Sequence, residues 1–430
     1  MAKKLSTQTI MQMIDLNQMT NVRSSPMNPA VSRAQTRNYT EGGSGAKFLS
    51  GDHIIVNLQT GTNWIDVLQS FLVFDFKPTG NASVFLNSAL SLFSECQVVA
   101  DNQDVDRTRF LNVLNYRRIS EMSQNQRDLN YNALFFANDQ RKPFDDNEYK
   151  ASDQRLRCTT ATAETIMIPL KFLGGIFDSY KLMPPHLARG LRVDITCEAF
   201  AKALVEAIAG AAPTGYEITG VNILTDSYRM DTAILEFVNA EYASSKDGLI
   251  YEYFSYNAAK STNVGTAISI EFNQSSSQTV DAMVVQTLTA AASVATDSLM
   301  SAVLPAGVAS QWRIGSHYMP NQLTKGPVEH YAQYLYYLNF LRENKEVGVQ
   351  YGQFVGRADN APVDSWGVGK GAFAQTFQRS NMVEVSGMAV NMNSSLGFLA
   401  ENVTANCDVF IFVRHLRRAV LFLQSMTLET

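Results

Sequence analysis

Apolar and polar residues alternate with period two through much of the chain, the pattern of strands that bury one face and wet the other. In VLQSFLVFDF (Val67–Phe76), Leu68, Leu72, Phe74 and Phe76 share one parity. In LFSECQVV, Leu92, Cys96 and Val98 oppose Glu95 and Gln97. Ile166, Ile168, Leu170 and Phe172 alternate with Thr165, Met167, Pro169 and Lys171. Leu191, Val193, Ile195 and Cys197 alternate with Arg192, Asp194, Thr196 and Glu198. One wet face per segment predicts antiparallel sheets packed face to face.

Three stretches break the alternation in this first half. DVDRTRFLNVLNYRRI (Asp104–Ile119) sets Phe110, Val113 and Leu114 on one face of a predicted helix. AKALVEAIAGAAPTG (Ala201–Gly215) reads as a short helix or a loop protruding between strands. In YEITGVNILTDSYRMD the apolar parity flips near Gly220, from Tyr216 and Ile218 to Val221 and Ile223, which predicts a β-bulge. Between Ile168 and Pro185, Gly174 and Gly175 would permit a tight turn, and Pro184 and Pro185 would stop further pairing.

After about residue 235 the same grammar restarts. LIYEYFSY, AISIEF, VDAMVVQTL, VEVSGMAVNM and CDVFIFVRHL read as strands, the last apolar on both parities over Val409–Val413 and so covered on both sides. GPVEHYAQYLYYLNFL (Gly326–Leu341) reads as a helix with Pro327 in its first turn and Tyr331, Tyr334, Leu335, Leu338 and Leu341 as a core-facing stripe. Strands, a helix and more strands are thus written twice. The predicted fold is all-β: two tandem eight-stranded jelly-roll β-barrels with short inserted helices, over residues 46–235 and 236–430. Residues 1–45 read as an N-terminal arm, in which KLSTQTIMQMIDLNQM (Lys4–Met19) forms a short amphipathic helix and a Pro- and Gly-rich stretch runs extended.

Composition supports two cores and narrows the function. A chain of 430 residues exceeds what one core usually serves, and 46% hydrophobic residues suffice for two. Charged residues are 17%, so the polar surface is built from Asn, Gln, Ser and Thr and suits large uncharged contacts between copies. The net charge of −5 argues against nucleic-acid binding by the chain as a whole. The N-terminus differs: in the first 40 residues Lys3, Lys4, Arg23, Arg33 and Arg37 face only Asp15, as a solvated tail or as an arm that touches something anionic or tucks under a neighbour. Cys96, Cys158, Cys197 and Cys407 have neither disulfide nor metal-ligand spacing, and Cys96 and Cys197 lie on apolar parities as buried thiols. The opening residues lack the apolar core of a signal peptide, and no apolar run is long enough to span a membrane.

Candidate chemistry is sparse. His53, His186, His317, His330 and His415 are scattered and belong to no nucleophile or zinc motif. Asp145, Asp146 and Glu148 in PFDDNEYK read as a solvated acidic loop. WGVGKGAF (Trp366–Phe373) lacks the Ser or Thr that follows the lysine of a phosphate loop, and GGSGAK (Gly42–Lys47) fails the spacing. No catalytic centre, metal or cofactor is expected.

Four passages, in this order along the chain, resemble the double jelly-roll major capsid proteins of icosahedral DNA viruses and tailless phages. They are Leu92–Leu114, the IPL…GIF…LMPP…LRVDIT run of Ile168–Thr196, YEITGVNILTDSYRMD (Tyr216–Asp231) and IGSHYMPNQLTKGPVEHYAQYLYYL (Ile314–Leu338). Asn273–Leu304 and Gly348–Phe377 match no part of that pattern. The resemblance implies homotrimers whose six barrels form a pseudo-hexagonal capsomer of a virion shell around the genome. It implies contacts with other copies and with penton or minor proteins, and an N-terminal arm lying beneath the shell against neighbours, an internal membrane or the genome. A carbohydrate-binding or carbohydrate-active tandem β-sandwich is the first alternative, and it requires exposed aromatics beside carboxylates in one cleft; a non-viral structural or surface-layer protein, which secretion signals or calcium loops would favour, is the second.

Overall fold

The computed structural model describes residues 31–58, 61–80, 83–86, 88–123, 157–159, 163–179, 182–188, 190–206, 213–230, 249–288, 301–338, 351–355, 371–377, 388–390, 395–421 and 426–429, with isolated positions between them. The main strands fall into two sets of eight. The first set is β1 (Val31–Tyr39), β2 (His53–Asn57), β3 (Trp64–Thr79), β4 (Phe93–Ala100), β5 (Gln103–Arg109), β6 (Glu164–Pro169), β7 (Arg192–Cys197) and β8 (Gly215–Met230). They form antiparallel sheets in the orders β1-β8-β3-β6 and β2-β7-β4-β5. The second set is β9 (Leu249–Asn263), β10 (Ala267–Phe272), β11 (Ser276–Leu288), β12 (Ala309–Ile314), β13 (His317–Lys325), β14 (Phe373–Thr376), β15 (Leu396–Glu401) and β16 (Cys407–Leu421). Its sheets run β9-β16-β11-β14 and β10-β15-β12-β13. Subtracting eight from each label of the second set reproduces the first, so both halves have the connectivity of a jelly roll.

The alternation places the core as expected in most strands. Leu191, Val193, Ile195 and Cys197 are buried and Arg192 is exposed. Val409 through Val413 are buried on both faces. Gly220 adopts φ +64°, and the register of β8 against β3 shifts between Thr219 and Asn222, the predicted bulge. A second shift, between Leu224 and Asp226, moves Leu68 off the expected face. Opposite it the Asp66 carboxylate accepts the N–H groups of Leu68 and Gln69 at 3.2 and 3.3 Å, and the Ser70 hydroxyl donates to the Asp66 carbonyl at 2.7 Å. The parity of β3 resets there: Ile65 and Val67 are buried before it, Leu72, Phe74 and Phe76 after it, and Leu68 is only half-buried.

Two expectations change. The helix over Asp104–Ile119 begins only at Leu111, as α1 (Leu111–Glu121), because the residues before it form β5. Asp101 and Asn102 both take left-handed backbone (φ 48° and 61°), and such a two-residue turn folds Gln103–Arg109 back onto Phe93–Ala100 as a hairpin. The arm also ends earlier than expected. Val31–Tyr39 pairs over its whole length with β8 as the edge strand of the first barrel, and residues 1–30, with the predicted amphipathic helix, lie outside the described residues. In the second barrel the helix α2 (Gly326–Tyr337) forms where predicted, with Pro327 in its first turn. Each helix joins the fifth and sixth strands of its barrel, and each is entered through a left-handed residue, Phe110 at φ 53° and Gly326 at φ +69°.

The barrels share their cores through α1. Leu111 and Ile119 pack into the first, while Val113, Leu114 and Tyr116 pack into the second. In exchange Tyr251 and Tyr253 of β9, with Ala419 and Leu421 of β16, enter the first core. Backbones touch as well. A Cβ on Gly175 would lie 1.6 Å from the Phe254 carbonyl oxygen, and one on Gly348 would lie 1.9 Å from that of Met122. The expected role of the Gly174–Gly175 pair is therefore corrected: Gly174 is extended (φ −163°), and Gly175 is required by the approach of the other barrel rather than by a turn.

Polar groups fix the register of this seam. The buried Asp106 carboxylate accepts from the Ser255 hydroxyl at 2.5 Å and from the Ile176 N–H at 3.0 Å. The Tyr253 hydroxyl donates to the Val105 carbonyl, and the Tyr251 hydroxyl donates to that of Ile176 at 3.3 Å. Burial raises the Asp106 pKa, opposed by the bonds from Ser255 and Ile176. The two helices also meet: the Tyr334 hydroxyl of α2 donates to Glu121 of α1 at 2.9 Å. Burial pushes Glu121 up to about 7, against the Tyr334 bond and the charges of Arg117 and Arg118.

Gly175→Ala is expected to cost at least about 3 kcal/mol, the upper end of overpacking penalties, in urea unfolding. Gly265→Ala, where a Cβ meets nothing within 4 Å, should stay within about 0.5 kcal/mol of wild type. A Gly175→Ala protein as stable as wild type would contradict the seam. Glu121 gives a second check. A carboxyl whose pKa is higher folded than unfolded stabilises while protonated and loses that contribution as pH rises from 4.5 through about 7. Thermal melts of Glu121→Gln should match wild type near pH 5 and exceed it at pH 8; the opposite order would mean that the charged form is favoured.

Candidate functional site

Among the described residues no group of three or more His, Cys, Asp or Glu side chains is placed to hold a metal ion. One pair has the form of a catalytic dyad. Ser310 Oγ lies 2.8 Å from His330 Nε2, and His330 Nδ1 lies 2.7 Å from the Gly326 carbonyl. Both side chains are 3% exposed, and the Phe373 ring packs edge-on against the imidazole at 5.2 Å. Burial lowers the His330 pKa, so the ring is neutral: Nδ1–H donates to Gly326 and Nε2 accepts from Ser310. The pair ties α2 to β12 and offers no route to a substrate. His53 is exposed, 3.5 Å from Asp194, His317 is exposed, and His186 is half-buried. Cys96, Cys197 and Cys407 are free and buried, and burial pushes Cys197 up to about 12 and Cys407 to about 11, which keeps both as thiols. The side chain of Cys158, the PFDDNEYK acids and residues 366–370 of WGVGKGAF lie outside the described residues.

A cleft of about 580 Å³ opens at the seam between β5, β9, β16 and the turn that joins β10 to β11. Its charged lining is Asp104, Arg107, Arg109 and Arg417. Glycoside hydrolysis takes two carboxyl groups about 5–9 Å apart, and this cleft supplies one carboxylate among three arginines.

The basic residues assigned to the arm separate. Lys3, Lys4 and Arg23 lie outside the described residues. Arg33 and Arg37 stand on β1, both exposed. Arg33 donates from Nε to Asp226 at 2.8 Å and pairs through Nη2 at 2.5 Å, so its charge serves a buried carboxylate of the next strand. That carboxylate belongs to the first barrel, beside Asp66, whose pKa burial raises. Sequence reading missed β1 because Ser32–Tyr39 carries polar residues on both parities and no apolar alternation to count.

The exposed surface holds a second feature. Tyr318 and Leu323 of β13, Val328 and Tyr336 of α2, and Tyr351 are 42–66% exposed, half of the ten large apolar side chains so exposed among the described residues. β13 is an edge strand, and α2 buries only His330 and Tyr334 fully. The helical stripe read from the sequence found the inward side, Tyr334 with Tyr331 and Leu338 partly buried. Val328 and Tyr336 fall outside that stripe and leave an apolar surface uncovered.

No protein-family model and no curated protein sequence matches the chain. Solved structures do match. The VP54 protein of PBCV-1, fitted into a reconstruction of the virophage Sputnik, superposes with a TM-score of 0.58 at 12% identity over 94% of this chain and 98% of its own. The Faustovirus major capsid protein gives 0.55 at 9% identity over 96% and 98%. The mavirus major capsid protein gives 0.50 at 10% identity over 93% and 90%. The chain has the double jelly-roll fold. The match runs through both barrels of that double jelly roll, so the fold expected from the alternation and from the four passages is the fold present. Identities this low carry the backbone and leave the surfaces to be read from this chain.

Proposed function

We propose that this chain is a major capsid protein that assembles, as pseudo-hexameric homotrimers, into the icosahedral shell of a virion around the genome. The observation that carries the reading is the repetition itself. Two barrels of one connectivity are fused in one chain and locked by a shared helix. A threefold ring of such chains presents six similar barrels, so a threefold object can occupy a sixfold environment in a closed shell. The double jelly-roll fold shared with capsid proteins supports this reading. So does a surface low in charge with an uncovered apolar face at β13 and α2, suited to another copy of the chain.

The N-terminal segment is the second half of the proposal. With Arg33 and Arg37 in the barrel, Lys3, Lys4 and Arg23 remain to meet an anionic partner beneath the shell, an internal membrane or the genome, while penton or minor capsid proteins contact other surfaces. Nothing in the described cleft favours the carbohydrate reading.

Light scattering of the purified protein is expected to give a trimer. Val328→Asp combined with Tyr336→Asp should yield monomers whose far-UV spectrum is unchanged, because neither side chain is buried. A wild-type monomer at tens of micromolar, or an unchanged trimer in the double variant, would count against the reading or against this surface, respectively. Deletion of residues 1–30 leaves β1 intact and should preserve folded trimers while lowering the yield of closed particles seen by electron microscopy. Closed particles at wild-type yield would remove the arm from assembly.

A further inference from the structure

The cleft at the seam has a polarity that the assembly reading does not use. Arg107, Arg109 and Arg417 line it, and among the described residues only Arg107 of the three forms an ion pair, with Glu95 on the neighbouring strand. Arg109 is exposed and makes no ion pair among the described residues. Arg417 reaches the Asp104 carbonyl through Nη2 at 3.4 Å, while its Nε is buried without a hydrogen-bond partner. His415 also lines the cleft, is 2% exposed, and has no hydrogen-bond partner at Nδ1. A buried unpaired nitrogen costs free energy, and here it borders a space large enough for a ligand, between guanidinium groups that match oxyanions in geometry.

We infer that this cleft binds a small oxyanion of the sulfate and phosphate class, held by Arg109 and Arg417 and contacted by His415. Asn273, Gln274 and Ser275 form the polar rim of the same cleft and supply neutral donors for the rest of such a ligand. A bound oxyanion would bridge β5 of the first barrel to β16 of the second and so add a link across the seam.

Proton linkage makes the site testable. Burial, with the neighbouring charge of Arg417, holds His415 at about 4, so the free site carries a neutral imidazole at pH 5.5. Asp104, Arg107 and Arg109 from β5 and Arg417 from its own strand line the cleft with it, β9 sets Ser255, bonded to Asp106, directly opposite, and β11 sets Thr279 on the other side. A dianion beside the ring favours the imidazolium. If it restores the ordinary value near 6.5, affinity at pH 5.5 exceeds that at pH 8 by about tenfold.

Isothermal titration of the full chain with sodium sulfate, whose charge is constant over this range, at fixed chloride is the direct experiment; ribose 5-phosphate tests an organic phosphate in the same cell. Saturable binding of sulfate, tighter at pH 5.5, abolished in Arg109→Ala and stripped of its pH dependence in His415→Gln, is the expected result. Arg109 is exposed, so its variant should fold, and circular dichroism verifies that. Binding of ribose 5-phosphate alone, lost in Arg109→Ala, would keep the site and assign it to organic phosphates. Binding of neither ligand, or binding unchanged in Arg109→Ala, would overturn the proposal, and pH-independent sulfate binding would remove His415 from it. Trimers that bind no oxyanion would leave the capsid reading standing, and a monomer that binds one would do the reverse.

Discussion

The contact between Gly175 and the Phe254 carbonyl sets the geometry on which the rest of the molecule depends. Two barrels cannot approach this closely unless one contributes backbone without a side chain, and here each does so once, at Gly175 and at Gly348. The approach brings Asp106 within reach of Ser255 and buries both, so the two halves must dock in one register to satisfy the carboxylate. Apolar side chains cross in both directions, from α1 into the second core and from β9 and β16 into the first. At roughly 1.5–3 kcal/mol per fully buried large apolar side chain, such a seam has the strength of a domain core rather than of a transient interface. The two barrels are therefore docked as one unit. Arg414 ties together the strands of the second barrel that face the seam, paired with Asp281 on the neighbouring strand β11 and stacked over the Phe254 ring of β9 at 5.1 Å.

Rigidity gives the repetition its use. Two jelly rolls of identical strand order, each with a helix between its fifth and sixth strands, would be interchangeable only if their relative orientation were fixed. The helices do that fixing themselves, through the hydroxyl of Tyr334 and the carboxyl of Glu121. The same helices differ where they face outward. α1 is buried along most of its length in the seam, whereas α2 is held by its inner face and leaves Val328 and Tyr336 uncovered. One half thus holds the two barrels together, and the other leaves an apolar surface uncovered.

Much of this was legible in the sequence, for identifiable reasons. Strands with one wet face, such as β7, declare themselves by alternation, and the Gly220 bulge declares itself by a parity flip. The doubling of the fold follows from the restart of the pattern after the first barrel. What escaped was decided by local polar geometry or by distant backbone. Asp101 and Asn102 make a hairpin turn just before what reads as a helical stretch and fold its first residues into β5, Asp66 resets the parity of β3, and β1 is polar on both faces. Gly175 looks like any turn glycine until the opposing strand is in place. The cleft was illegible because Arg109 is separated from His415 and Arg417 by some three hundred residues and meets them only when the barrels dock.

The central claim is that a rigid double barrel of this form is the unit of a shell. Class averages of the purified full-length protein by negative-stain electron microscopy test it most directly. The account predicts particles with threefold symmetry and six lobes of similar size, free or tiled into curved sheets and closed shells. Isolated two-lobed particles at concentrations of tens of micromolar, with no larger assembly, would contradict it.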